Sequence, residues 1–281
     1  MSLFIKKLIV IFFILIFGIS KSYSAAVTQI DKQVFADGDG EDLSSVMGDV
    51  VFNNDGTKMF TSYSNSTAVN TNDDVINEYT LSVPYDISSA TYAGASERCA
   101  VTDGEDGSKD RAMLSFSFSD DGMKIFVAQR GLNNVHNSFV NRLDLTAAFD
   151  VSTCVYINEI DVDTDLLQNG STAGPRVNTG GKNNLQGLDI TNDGTKMFLT
   201  MNDRSGNQSV KKYNFATPYD LTTITIDPSA IVLQKENPFG IFFGNNGKRL
   251  FVSFIGVNPN KGIIEQYSLD TAYDLSSFTL D

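Results

Sequence analysis

Short segments of this chain alternate apolar and polar residues with a period of two. The clearest cases stand just before four similar turns, where two apolar residues are separated by one position: Val50 and Phe52, Phe116 and Phe118, Leu188 and Ile190, Ile241 and Phe243. Such alternation is typical of a β-strand with one buried face. No sustained helical period lies between these segments, so the pattern predicts an all-β protein.

Two short phrases recur four times and stay in phase. The first fits Asp/Asn-Gly-x-Lys/Arg-apolar-Phe, and its copies begin at Asp55, Asp121, Asp193 and Asn246. The second ends in an aromatic residue followed by aspartate, at Tyr85-Asp86, Phe149-Asp150, Tyr219-Asp220 and Tyr273-Asp274. Self-similarity of this kind indicates a repeat architecture. We expect four repeats at about 46–96, 112–160, 185–232 and 237–281.

Each repeat is predicted to contain four antiparallel strands. Asp-Gly between two alternating segments is a strong hairpin signal, and it predicts a primed turn with positive φ. The second strand is expected at 58–62, the third around Ile76 and Tyr79, and the fourth at about 90–93, after the aromatic-Asp corner. Four such strands arranged radially form one blade of a β-propeller.

The turn phrase resembles the blades of the β-propeller repeat superfamily, including YVTN, NHL and TolB-like repeats. The resemblance covers all four units and implies a β-propeller fold. It implies little about activity, because this fold carries hydrolases, lyases, transport partners and scaffolds. The chain has no tryptophan and therefore no Trp-Asp dipeptide, which disfavours the WD-repeat subfamily.

Closure of the ring is predicted to involve the N-terminal segment. Residues 27–35 have no place in the first repeat, and we expect them to complete the last blade and remove an exposed edge. An open array of blades, or a half-ring that dimerises, is the alternative.

The N-terminus has the three parts of a secretory signal peptide. Lys6 and Lys7 precede an apolar run at 8–19, and small residues follow up to Ser24. We predict cleavage after residue 24, which leaves 25–281 as a single domain in the periplasm or outside the cell. A retained membrane anchor is the alternative.

The charge of the chain is strongly acidic and limits its partners. The full sequence has 21 basic and 34 acidic residues, a net charge of −13. Loss of the signal peptide would remove three lysines and make the net charge −16. Binding to nucleic acid needs clustered Lys and Arg, so we expect no nucleic-acid partner. Association with a membrane is not expected either after cleavage.

The two cysteines, Cys99 and Cys154, fall near the outer strands of consecutive repeats. In an oxidising compartment this arrangement predicts a disulfide between neighbouring blades, with two unpaired buried thiols as the alternative. Two cysteines and the single histidine, His136, cannot form a zinc ligand set.

Long, variable loops on one face of the propeller are the expected binding surface. On or beside it lie five candidate ligand-binding residues: Arg111, Arg130, His136, Arg176 and Arg204. The arginines could meet an anionic ligand or simply neutralise neighbouring acids. His136 has no nucleophile identifiable beside it, so the sequence indicates no catalytic residue.

Three acidic loops between blades are candidate calcium sites, because Ca²⁺ takes six to eight oxygen ligands. Their acids are Asp37, Asp39 and Glu41, then Asp103, Glu105 and Asp106, then Asp161, Asp163 and Asp165. None has the full EF-hand spacing. Solvated acidic loops without a metal are the alternative.

These observations favour an exported, non-enzymatic binding propeller whose partner is a protein or a glycan. A second hypothesis is a calcium-dependent hydrolase or lactonase-like enzyme with a metal in the central channel. It is weakened by the scarcity of acids on the inner strands, where only Asp49 and Asp189 occur. A third hypothesis is a secreted structural or adhesive protein.

Overall fold

The alternating segments form strands, and each repeat forms one antiparallel sheet. The computed structural model describes residues 46–64, 74–101, 111–131, 137–162, 184–202, 208–255 and 262–281. The predicted signal peptide and the predicted closing strand at 27–35 lie outside these residues.

The first two blades contain nine strands. Blade 1 comprises β1 (Val46–Phe52), β2 (Lys58–Ser64), β3 (Val75–Leu81) and β4 (Ala90–Tyr92), with β5 (Cys99–Ala100) also paired to β3. Blade 2 comprises β6 (Arg111–Phe118), β7 (Lys124–Gly131), β8 (Phe139–Asp144) and β9 (Val155–Asp161).

The last two blades have four strands each. Blade 3 comprises β10 (Asn184–Ile190), β11 (Lys196–Asn202), β12 (Gln208–Phe215) and β13 (Ile224–Leu233). Blade 4 comprises β14 (Pro238–Gly244), β15 (Arg249–Phe254), β16 (Ile263–Leu269) and β17 (Phe278–Leu280). In every blade consecutive strands pair antiparallel, so the prediction of an all-β propeller with four four-stranded repeats is confirmed. No helix in the described part of the chain has the length and apolar content needed to cross a bilayer.

The hairpin between the first two strands of each blade is confirmed, but the predicted primed turn is wrong for blades 1 to 3; in blade 4 both central residues of the turn, Asn245 and Asn246, have the positive φ it requires, 51°. In blade 1 the amide of Gly56 donates to the carbonyl of Asn53 at 3.1 Å, and only Gly56 in this turn has a positive φ, 71°. A primed turn of type I′ needs positive φ at both central residues. The carboxylate of Asp55 instead accepts a hydrogen bond from the backbone amide of Thr57 at 3.0 Å, so the side chain of Asp55 stabilises the turn.

Successive blades pack through the phenylalanine that ends the turn phrase. Phe60 of blade 1 stacks on Phe149 of blade 2, with 6.4 Å between ring centroids. It belongs to a buried cluster that also contains Met113, Phe116 and Ile125 of blade 2. The core is therefore a series of apolar layers between blades, as stacked repeat units require.

The predicted disulfide is present between Cys99 and Cys154, whose Cα atoms are 5.8 Å apart. It joins β5 of blade 1 to the start of the outer strand β9 of blade 2. A disulfide of this kind persists in oxidising, non-cytoplasmic compartments.

Candidate functional site

Arg111, predicted to bind a ligand, is buried at the start of β6. Its Nη1 lies 2.7 Å from Oε2 of Glu159, and its Cζ lies 3.4 Å from the centre of the Phe139 ring. A guanidinium over an aromatic face and beside a carboxylate is well stabilised. The charge of Arg111 is therefore already paired inside blade 2.

Of the other predicted ligand-binding residues, the structure describes only Arg130. Arg130 lies in β7 and is half-buried. His136, Arg176 and Arg204 lie outside the described residues, so their role stays a prediction.

The proposed calcium ligands fall almost entirely outside the described residues. Asp161 alone is described, at the end of β9, where its carboxylate accepts a hydrogen bond from the side chain of Asn137. The remaining acids of the three loops are Asp37, Asp39, Glu41, Asp103, Glu105, Asp106, Asp163 and Asp165. Over the ranges that the structure describes, no cluster of three or more His, Cys, Asp or Glu side chains could hold a metal ion.

A cavity of about 480 Å³ lies at the centre of the propeller. The first strand of every blade contributes to its wall: β1, β6, β10 and β14. It lies toward the ends of these strands that lead into the Asp-Gly turns, because turn residues Asn54, Asp120 and Asn192 also line it. Concave sites that combine apolar walls with a few polar groups are where proteins commonly hold small ligands.

Asp49 is positioned in this wall by contacts to the neighbouring blade. Its Oδ2 accepts a hydrogen bond from the Ser115 hydroxyl at 2.7 Å, and Oδ1 accepts one from the amide of Val50 at 2.8 Å. Ser115 in turn accepts from the amide of Leu188 at 3.2 Å, so three blades meet at this hydroxyl. Burial raises the pKa of Asp49 above its usual range, although these hydrogen bonds oppose the effect.

Asp189 is the second carboxyl group of the cavity wall. Its Oδ2 accepts a hydrogen bond from the amide of Phe243 in blade 4 at 2.9 Å. Burial raises the pKa of Asp189 to about 7, and the nearby charge of Asp49 adds to the effect. Near neutral pH the cavity therefore holds one carboxyl group that is easily protonated.

The mouth of the cavity combines amide groups with an exposed aromatic ring. The Asn54 side chain donates to the carbonyl of Asp120 at 2.9 Å, which ties the turns of blades 1 and 2 together. Asn54, Asp120 and Asn192 are exposed, and Phe242 of β14 also stands in solvent. Both hydrogen-bonding groups and an apolar face are available to a ligand there.

The sequence pointed to the opposite face of the propeller. It did single out Asp49 and Asp189 on inner strands, but Ser115, Asn54 and Asn192 were not identified. Both asparagines directly precede Asp-Gly, so they look like ordinary turn residues. A signal was nevertheless present, because similar turns in consecutive repeats must meet at one end of the central channel.

Comparison with protein-family models finds no match, and neither does a search of curated proteins. Solved structures give matches in fold. An exo-β-1,3-galactanase from Phanerochaete chrysosporium matches with a TM-score of 0.51 and 12% identity, over 84% of this chain and 49% of that chain. The exo-β-1,3-galactanase 1,3Gal43A from Clostridium thermocellum matches with a TM-score of 0.50 and 13% identity, over 83% and 49%.

An endo-arabinase from Bacteroides thetaiotaomicron matches with a TM-score of 0.49 and 13% identity, over 83% of this chain and 78% of that chain. This chain spans about half the length of the two galactanase structures. At such low identity the likeness concerns the fold alone.

Proposed function

We propose that this protein is an exported, non-enzymatic binding propeller that takes a glycan at the mouth of its central cavity. The observation that carries the proposal is that the exposed ring of Phe242 lines the same cavity as the side-chain amides of Asn54 and Asn192. A sugar has an apolar ring face and hydroxyl groups at its edge, which match an aromatic surface flanked by amides. Pockets that combine apolar walls with a few polar groups are typical ligand sites.

The acids of the cavity support binding rather than catalysis. Asp49 accepts from Ser115, and Asp189 accepts from the backbone of blade 4. The carboxyl groups of these two inner-strand acids are thus engaged in holding blades together, and the third acid of the cavity, Asp120, lies at its mouth. The net charge of −13 disfavours an anionic ligand and favours a neutral one.

The compartment is part of the same proposal. The disulfide between Cys99 and Cys154 fits an oxidising compartment, and the charged, then apolar N-terminal sequence fits export. The periplasm and the cell exterior both provide glycan partners.

Binding is tested by screening the purified protein against immobilised neutral glycans and measuring hits by calorimetry. Phe242→Ala and Asn192→Ala are expected to weaken binding at least tenfold, because each removes one part of the proposed contact. Val232→Ala is the matched control, since Val232 is equally exposed but lies on the outer strand β13. No binding to any glycan, together with capture of a protein by the wild type but not by Phe242→Ala, would move the site to a protein partner.

A hydrolase is the second candidate, and Asp189 is the observation that favours it. A carboxyl group with a pKa of about 7 has the protonation behaviour of a general acid. The test is hydrolysis of chromogenic glycosides and lactones, with and without calcium, by the wild type and Asp189→Asn. Turnover that is lost in Asp189→Asn would establish the enzyme, whereas no turnover with any substrate leaves the binding protein.

A further inference from the structure

Each interface between consecutive blades is built from the same two halves. One half is the phenylalanine of the turn phrase, and the other is the aromatic residue of the following blade's corner. The rings of each pair are stacked, with 6.4, 6.1 and 6.0 Å between ring centroids. The three pairs are Phe60 with Phe149, Phe126 with Tyr219, and Phe198 with Tyr273. All three phenylalanines are fully buried.

Basic side chains reinforce two of these interfaces. Lys58 of blade 1 donates to the carbonyl of Phe149 at 2.9 Å, and Arg142 of blade 2 donates to the carbonyl of Tyr219 at 3.3 Å. At these two interfaces the aromatic corner of the following blade is thus held both by its ring and by its backbone carbonyl. The corner has a defined docking surface, which is repeated along the chain.

One copy of each half is left over. In blade 4, Phe251 occupies the position that Phe60 has in blade 1, but Phe251 is only half-buried. Its ring contacts that of Phe242 in the same sheet, with 6.3 Å between ring centroids. Phe242 is 61% exposed and Ile264, on the same side of the sheet, is 71% exposed. In blade 1, the corner residue Tyr85 is 58% exposed.

In the described part of the chain these two halves do not pack on each other. Among the described residues, strands of blades 1 and 2, 2 and 3, and 3 and 4 pack on each other, whereas no comparable packing joins blade 4 to blade 1. Blade 4 therefore ends in an apolar sheet face formed by Phe251 on β15 and Ile264 on β16, and Phe242 lies inward of this face, on β14 in the wall of the cavity. We call the face formed by Phe251 and Ile264 the blade 4 face.

We propose that the blade 4 face binds the Tyr85 corner of a second copy of this chain, head to tail. In each of the three internal interfaces, the phenylalanine of the turn phrase packs on the corner aromatic residue of the next blade. The same kind of corner is therefore expected to bind the blade 4 face. Two such contacts related by a twofold axis close a ring and leave neither half exposed. The ring would have eight blades, which is within the range of propellers.

The first test is the mass of the intact protein, recovered from an exporting host, by light scattering and sedimentation. A dimer is expected, and Ile264→Glu is expected to convert it to a monomer because it places a charge in the apolar contact. Val232→Glu is the matched control: Val232 is 62% exposed on an outer strand, and this variant should remain a dimer. A wild type that is monomeric at all attainable concentrations would overturn the proposal.

The second test identifies the partner surface by cross-linking cysteines placed at the two halves. Tyr85→Cys and Phe251→Cys proteins, mixed and treated with a short bis-maleimide, are expected to link into a heterodimer. Neither protein alone should link to itself. Linking of Phe251→Cys to itself would overturn the head-to-tail arrangement. A chain carrying both cysteines that links only within itself would show that blade 1 of the same chain closes the ring.

Discussion

The ring of Tyr219 lies directly over the α-carbon of Gly194. A β-carbon at Gly194 would lie 2.4 Å from ring carbons of Tyr219, and the amide of Tyr219 donates to the carbonyl of Gly194 at 2.9 Å. The same amide contact recurs at 2.9 Å in the other blades: Tyr85 to Gly56, Phe149 to Gly122 and Tyr273 to Gly247. The two repeated phrases are therefore one structural unit, which explains why they stay in phase along the sequence.

Gly194→Ala is expected to lower the free energy of unfolding by about 2–4 kcal/mol. The substitution places a methyl group in the Tyr219 ring, and it does so at a residue whose φ is +66°. Chemical denaturation measures the effect. Gly262→Ala is the control, because its β-carbon would meet only ordinary contacts and its φ is not positive. If both substitutions lowered the free energy of unfolding equally, contact between the Tyr219 ring and Gly194 would not be the cause of the loss.

Asp189 should make the protein more stable in mild acid than at neutral pH. Its native pKa is about 7 and its usual value is 3.8, so between these values the native state holds a proton that the unfolded state has lost. The free energy of unfolding therefore falls as pH rises from about 4 to 7, by up to roughly 4 kcal/mol, and levels off above 7. Unfolding by urea at a series of pH values measures this slope.

Asp189→Asn should reduce that slope and stabilise the protein at neutral pH. A smaller slope of the same sign should remain, since burial also raises the pKa of Asp49. Asp86→Asn serves as the control, because hydrogen bonds from Ser88 lower the pKa of Asp86 and its contribution has the opposite sign. An unchanged slope in Asp189→Asn would show that this carboxyl group titrates normally.

The disulfide should contribute substantially to stability. It closes a loop with a sequence separation of 55 residues across the interface of blades 1 and 2. Loop-closure entropy in the unfolded chain predicts a contribution of about 2–4 kcal/mol. Replacing Cys99 and Cys154 with alanine together should lower the melting temperature, and reduction of the wild type should reproduce the loss. A variant as stable as the oxidised wild type would contradict this prediction.

Much of the fold could be predicted from the sequence because the repeat enforces consistency. Apolar alternation at Val50 and Phe52 located β1, and the turn and corner phrases located the hairpins and the outer strands. The turn type of blades 1 to 3 was missed because only the glycine of each turn has a positive φ, as at Gly56, while Asp55 acts through its side chain. The repeated turn phrase predicts that a glycine is required, but it does not predict how many residues of the turn have a positive φ.

The candidate site was less accessible to sequence reasoning. Ser115 is one of two serines in an apolar strand, and only the approach of three blades shows that its hydroxyl meets both Asp49 and the amide of Leu188. The ring of Phe242 and the amides of Asn54 and Asn192 likewise come from three different blades, and no local pattern encodes that they line one cavity. Contacts between distant repeats, rather than residue types, define this site.

The hydrogen bond from Ser115 to Asp49 should couple the two residues energetically. Each substitution alone, Ser115→Ala or Asp49→Asn, disturbs a contact between inner strands of blades 1 and 2, at an oxygen-to-oxygen distance of 2.7 Å. In a protein that already lacks one of the two side chains, substitution of the other should lower the free energy of unfolding by less. We therefore expect a coupling energy of about 1–3 kcal/mol from the double-mutant cycle, measured by urea unfolding. The control cycle pairs Ser115→Ala with Asp55→Asn, whose carboxylate bonds within its own turn, and it should be additive. Additivity in both cycles would mean that the blades are held at this point by backbone packing alone.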